Sequence, residues 1–243
     1  MRHNDREKNV IRPISFERGV NKHASGSVFV KLGDTHVLVT ATCEEKVPRH
    51  LHGKGQGWVT AEYNMLPSAT APRNQRERFK VSGRTQEIQR LIGRSLRACV
   101  DMVALGERSI TIDADVIQAD GGTRTTSITA GYIALYDALA SLKEQELIQT
   151  IPLKFPLAAI SVGVVDGVAL LDLDYSEDST ADVDANVVMN DRGEIIEFQT
   201  SSECAPLPKE TLTELLHLGE VGTNFLVQAQ KEALGLAFIS ATY

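Results

Sequence analysis

Apolar and polar positions along the chain alternate with period two in several short stretches and recur at helical spacing in a few longer ones, which predicts strands interleaved with helices. Residues 27–32 and 36–41 alternate across Gly33-Asp34 and read as a hairpin, preceded by a short edge-like segment at 9–14 and followed by a strand at 58–63. From Arg84 the period changes. Ile88, Leu91, Ile92, Leu96, Cys99 and Met102 fall on one helical face, and Arg90, Arg94 and Arg97 on another. Ile110, Ile112, Ala114 and Val116 alternate with Thr111, Asp113 and Asp115 as a strand does. Ile128, Gly131, Tyr132, Leu135, Leu139 and Leu142 then return to helical spacing. Two more hairpins are expected, residues 157–165 with 168–173 around Asp166-Gly167, and 184–189 with 194–198 around 190–193. Gly219-Glu220-Val221-Gly222 reads as a stop and restart between two closing helices, 211–218 and 224–236. No Pro- or Ser-rich linker interrupts the pattern, so residues 1–243 are expected to form a single α+β domain.

The strand-to-helix junction at residues 118–127 carries the first candidate chemistry. Gly121-Gly122 permits positive φ and close backbone approach, and Thr125, Thr126 and Ser127 are residue types that cap a helix start. The first amides of a helix are unpaired and its dipole end is positive, so the backbone there favours an anion. Arg124 adds a permanently charged planar fork suited to phosphate oxygens. Arg84, at the start of the preceding helix, is placed to reach the same anion. The plain alternative is a capped turn.

Charge changes the picture further. The net charge of −7 argues against generic nucleic-acid binding, yet residues 46–97 hold eleven Lys and Arg against three acids, a local +8, leaving −15 elsewhere. An acidic body with one basic tract can hold a polyanion at one surface. Within that tract, the apolar-poor loop 67–82 contains Arg73, Arg76, Arg78 and Lys80, either a solvated charge run or a contact for a phosphate backbone. The Arg90, Arg94, Arg97 stripe is expected to be a solvated face or a subunit contact. The three cysteines, Cys43, Cys99 and Cys204, are far apart and lack metal-ligand spacing, which suits reduced interior thiols. No run of about 18 apolar residues occurs and the start lacks an apolar signal core, so neither membrane insertion nor secretion is indicated and a cytoplasmic location is expected.

Six acids, Asp172, Asp174, Glu177, Asp178, Asp182 and Asp184, crowd between the last two hairpins. Such crowding is expensive unless a cation is present. Hard oxygen donors without His or Cys favour Mg²⁺ or Mn²⁺, which often takes one or two carboxylates plus substrate phosphate; a solvated acidic loop is the alternative.

With these features together, the chain resembles the RNase PH family of phosphate-dependent exoribonucleases that trim tRNA 3′ ends. The resemblance runs almost end to end through Arg12-Pro13, Lys22-His23-Ala24, Gly55-Gln56-Gly57-Trp58, Ala61-Glu62-Tyr63, Met65-Leu66-Pro67, Gly83-Arg84-Thr85, residues 87–92 and 118–125, Glu177-Asp178 and Asn186-Val187-Val188-Met189. It implies an α+β fold with paired β-α-β units and a homo-oligomeric ring built as a trimer of dimers. It further implies inorganic phosphate bound by Arg84, Gly122, Thr123 and Arg124, a divalent metal at Asp178 and Asp184, and tRNA precursors as substrate, for which the basic tract offers Arg73 and Arg76 as backbone contacts. Reversible 3′-to-5′ phosphorolysis follows as the expected reaction. The chain departs from the family pattern at Ser68, where an arginine is usual, and in a shortened loop with Ser82 in place of a glycine. A catalytically weak RNA-binding ring subunit and a hydrolytic nuclease are the alternative functions.

Overall fold

The computed structural model describes residues 2, 5–77, 79–202 and 205–236; Arg78 and Cys204 lie outside them. The first half of the chain supplies strands β1 (Ile14–Arg18), β2 (Gly26–Leu32), β3 (Thr35–Glu44) and β4 (Trp58–Met65), helices α1 (Gly83–Cys99) and α2 (Met102–Leu105), and strand β5 (Ser109–Gln118). Their sheet has the order β1-β2-β3-β5-β4, antiparallel except for the β4–β5 pair, which α1 joins as a β-α-β crossover. Helix α3 (Thr123–Glu144) leads to a second sheet from β6 (Leu157–Val165), β7 (Val168–Leu171), β8 (Val183–Asn190) and β9 (Ile195–Ser202), with the short α4 (Tyr175–Asp178) between β7 and β8. That sheet is antiparallel throughout, in the order β7-β6-β8-β9, and α5 (Lys209–Leu234) closes the described chain.

Helix α3 is the element both sheets share. It packs on β2, β3 and β5 of the first sheet and on β6 and β8 of the second, so polar Thr125, Thr126, Ser127 and Thr129 are as buried as Ile128 or Ile133. Buried hydroxyls need partners: Ser127 donates to the Thr123 carbonyl, and Thr129 exchanges hydrogen bonds with both backbone groups of Ala159. Strand β6 is buried along almost its whole length because both its faces are covered. Leu157 and Ala159 belong to the core around α3, whereas Ala158, Ile160 and Val162 pack with α5. The buried Gln230 of α5 donates to the carbonyls of Thr129 and Leu157, tying α5 across β6 to α3.

Four sequence expectations change here. The edge-like segment is displaced: β1 begins at Ile14, and the residues before it run to the buried Arg12. Helix α1 stops at Cys99, so Met102 starts a separate turn capped by Asp101. Helix α3 starts at Thr123 with Gly122 as its cap, so Thr125, Thr126 and Ser127 lie inside the helix rather than at its cap. The two closing helices are one, α5. Gly219 and Gly222 are packing glycines rather than breakers: a Cβ on Gly219 would lie 3.0 Å from Val187 Cγ2, and one on Gly222 2.8 Å from Leu171 Cδ1. Replacing Gly222 with alanine is therefore expected to lower stability by about 1 kcal/mol, because overpacking of about 1–3 kcal/mol exceeds the roughly 1 kcal/mol of helix propensity gained. Chemical denaturation reads this out; a more stable variant would mean the buried Leu171 yields.

Burial disfavours the thiolate at both described cysteines. Cys99 is fully buried, which pushes its thiol up to about 12, and half-buried Cys43 is also raised by burial.

Candidate active site

Strand β5 ends at Gln118, and the chain reverses through Gly121 and Gly122, with φ of 72° and 65°, before entering α3. Only glycine fits at 121, where a Cβ would stand 2.5 Å from the Leu173 carbonyl oxygen. The turn is held from below by Arg12, 5% exposed, which donates to the carbonyls of Asp120, Gly121 (3.5 Å) and Leu173 (3.3 Å). Thr35 adds a donor to Gly121 O at 2.7 Å and accepts the Asp120 amide at 3.0 Å. Tyr63 of β4 closes the front, its hydroxyl 2.8 Å from Thr123 Oγ1. Burial pushes the Tyr63 phenol up, although Thr123, Arg84 and Arg124 oppose the shift.

Around this turn lies a cavity of about 270 Å³ lined by Arg84, Gly122, Thr123, Arg124, Asp178 and Asp184, all six of the residues expected to bind phosphate or metal. Arg124 stands at the second position of α3, one-fifth exposed, 3.4 Å from Glu87 Oε1 on the facing α1. Arg84 enters from the first turn of α1, near Met65. The two carboxylates arrive from the second sheet: Asp178 ends α4, and Asp184 lies on β8. Burial raises the pKa of Asp178, and the charges of Arg124, Arg84 and Arg12 pull it back.

The crowded acids separate into two groups. Asp172, Asp174 and Glu177 turn away from the cavity into a buried ion-pair network with Arg2, Arg6 and Arg12. Arg12 Nε and Nη2 grip Asp172 at 2.9 and 2.7 Å, and Arg2 Nε and Nη2 both reach Glu177 at 2.6 Å. Asp174 and Glu177 also form the capping box of α4. Arginines therefore balance half of the charge for which the sequence suggested a metal, because the N-terminal segment folds beneath the acidic loop. Asp182 is absent from the cavity lining.

A divalent cation fits the remaining pair. Asp178, Asp184, Ser161 and Asn186 present oxygen donors to one cavity, and the described residues gather no group of three His, Cys, Asp or Glu. An ion held by two carboxylates and completed by substrate oxygens and water matches the habit of Mg²⁺.

Ser161 and Asn186 were not singled out as site residues by sequence, although the β pattern contained the signal. They are register partners across β6 and β8, and Asn186 shares a strand face with Asp184. Ser161 also accepts the Leu173 amide at 3.1 Å. Arg12 entered only within a resemblance motif, because nothing local marks its reach of 160 residues to Asp172.

Outside the cavity, Arg73, Arg76 and Lys80 are exposed, and Arg76 lies close enough to Asp115 to oppose the upward push of burial on that carboxyl. The arginine stripe of α1 is partly structural: Arg94 pairs with Glu197 at 2.8 Å, and Arg97 caps the Trp58 ring while donating to the Val59 carbonyl. Ser82 acts as the N-cap of α1, its Oγ accepting from the Thr85 amide, a role a glycine side chain lacks.

Comparison with known proteins places almost the whole chain in one family. Residues 10–140 match the model of the 3′ exoribonuclease family, domain 1, and residues 156–222 that of domain 2. The chain is 57% identical over 233 residues to ribonuclease PH of Crocosphaera subtropica, covering 96% of this chain and 97% of that protein. Its fold is similar to rice (Oryza sativa) Rrp46 (TM-score 0.78, 20% identity, 96% and 100% of the two chains). It is also similar to an Archaeoglobus fulgidus exosome chain solved with RNA bound to the active site (TM-score 0.77, 19% identity, 96% and 91%).

Proposed function

The chain belongs to the RNase PH 3′ exoribonuclease family, and from that premise we propose that the cavity between the Gly121-Gly122 turn and β8 is its phosphorolytic centre. The enzyme is a phosphate-dependent 3′ exoribonuclease and tRNA nucleotidyltransferase. The carrying observation is that two arginines, a glycine-started helix N-terminus and two carboxylates converge on one cavity.

Inorganic phosphate binds against the amides after Gly122 and Thr123, between Arg84 and Arg124. An oxygen of that phosphate attacks the last phosphodiester in line; the P–O3′ bond breaks, and the products are a nucleoside diphosphate and RNA shortened to a new 3′-hydroxyl. No protein nucleophile is required. The barrier is the approach of one anion to another, and the arginines with the helix end lower it by neutralising the attacking group in a fixed geometry. Asp178 and Asp184 would hold Mg²⁺ or Mn²⁺ beside the scissile group. Such an ion, when bound, stabilises negative charge on the leaving oxygen. Exchange of a diester for an anhydride leaves the reaction reversible, so 3′ addition from diphosphates accompanies it.

Residues 1–243 act as one catalytic unit in this reading, since the phosphate cradle comes from the first sheet and the carboxylates from the second. Arg73 and Arg76 contact the RNA backbone of tRNA precursors. The assembly is a hexameric ring working in the cytoplasm; among the described residues no helix is long and apolar enough to cross a membrane. A scaffold subunit without activity would have no use for a complete set of phosphate arginines and acids.

The deciding assay measures nucleoside diphosphate released from RNA with and without inorganic phosphate. Monophosphate release independent of phosphate would instead indicate hydrolysis. Asp184→Asn keeps side-chain size and removes charge, so turnover is expected to collapse while phosphate KM and ring mass change little. Full activity in that variant, or in excess chelator, would remove the metal role.

A further inference from the structure

Loop 70–82 carries a residue that phosphate chemistry does not use. Phe79 is fully solvent-exposed at 101% in a segment whose neighbours Arg76 and Lys80 are exposed cations. A side chain of that size left in water loses its burial energy, so its surroundings matter. The one acid in the sequence of this loop, Glu77, is occupied: its carboxylate accepts from the Ser82 amide and the Thr85 hydroxyl, both at 3.0 Å, which fastens the loop to the start of α1 and draws its pKa down through Ser82. The anchored segment therefore exposes an aromatic ring with exposed cations before and after it in sequence. Its position relative to the cavity is also constrained. Thr70, Asn74 and Arg84 line the phosphate cavity, and Phe79 lies midway along the chain between Asn74 and Arg84. Five residues of extended chain reach about 17 Å at most, so the ring stands within a short single-stranded span of the reacting phosphodiester.

We propose that Phe79 is a base-stacking residue for the single-stranded 3′ segment of the RNA, the flanking cations holding its phosphates. The chemistry is that of sequence-tolerant single-strand binding, where an aromatic face takes any base and basic side chains track the backbone. The inference rests on the exoribonuclease reading above and adds a contact to it: terminal nucleotides are held at the cavity while an upstream base packs on Phe79. A ring flanked by cations fits a polyanion better than it fits the apolar face of a second protein.

The test uses the full chain carrying Phe79→Ala, Phe79→Leu and Phe79→Trp, with an unstructured oligoadenylate as substrate. Phe79→Ala is expected to raise KM for this RNA about tenfold, equivalent to about 1.4 kcal/mol of lost stacking, with the effect absent from phosphate KM. Phe79→Leu, apolar but not aromatic, should resemble the alanine variant, and Phe79→Trp should restore the parent value. The introduced indole supplies a direct readout, since Trp58 is the only natural tryptophan: fluorescence beyond that of the parent should be quenched by oligoadenylate without phosphate. An unchanged KM in Phe79→Ala, full rescue by leucine, or an unquenched indole would overturn the proposal. So would dissociation of the oligomer in Phe79→Ala, which would assign the ring to a protein contact. If the parent itself releases no diphosphate, the exoribonuclease reading fails, whereas the quenching experiment still decides stacking.

Discussion

Replacing Arg124 with alanine is expected to lower phosphate-dependent release of nucleoside diphosphate by about 10²- to 10³-fold, the usual effect of removing one preorganised charge donor from a transition state. The side chain sits at the second position of α3, in the same cavity as Arg84, and is steadied by Glu87 at 3.4 Å. Deleting it leaves the Gly121-Gly122 turn intact, because Arg12, Thr35 and Tyr63 hold that turn without it. The loss should therefore appear in kcat and in the phosphate dependence, while RNA binding through the separate basic loop largely survives. The check is a titration of rate against phosphate at saturating RNA. A curve matching the parent's would dissociate Arg124 from phosphate.

Replacing Asp172 with alanine is expected to destabilise the fold by about 3–5 kcal/mol, since breaking a buried ion pair strands its partners' charge. Asp172 is fully buried and is shared by Arg12 and Arg6, so two guanidinium groups would lose it at once. Against a total stability of about 5–15 kcal/mol, that is a large share, and at the low end of the range it leaves the variant partly unfolded. The effect should extend to catalysis in the molecules that stay folded. Arg12 uses the same guanidinium to hold the carbonyls of Asp120 and Gly121, so freeing it loosens the phosphate turn and raises phosphate KM. Asp172→Asn should be milder, because asparagine tolerates the positive φ of 55° at this position and retains an acceptor. Denaturant unfolding with phosphate-dependent kinetics tests both halves. A stable alanine variant with parental phosphate KM would show that Thr35 and Tyr63 keep the turn without an Arg12 anchored by Asp172.

Much was legible in residue order because it depends on neighbours in sequence. Strand alternation located β2, β3, β4 and β5, the Asp-Gly signal located the β6–β7 turn, and the period change at Gly121-Gly122 located the start of α3. Arg84, Arg124, Asp178 and Asp184 could be named because glycine turns, charge and hard donors have local signatures, and the resemblance supplied the same positions. The fold family, and with it the reaction, was already present at that level.

What tertiary structure decided is where charge finds its partner and which glycines are breakers. Six acids in one stretch look alike in sequence; three became structural only because Arg2, Arg6 and Arg12, more than 150 residues away, fold beneath them. Gly219 and Gly222 resemble a helix stop until Val187, Leu171 and Ile160 are seen occupying the space a side chain would need. Ser161 and Asn186 face the cavity through the register of β6 with β8, which is fixed between distant segments. The common reason is separation along the chain. Propensity and periodicity describe what a segment does with its own neighbours, whereas ion-pair choice, close packing and strand register are set by segments that meet only when the molecule has folded.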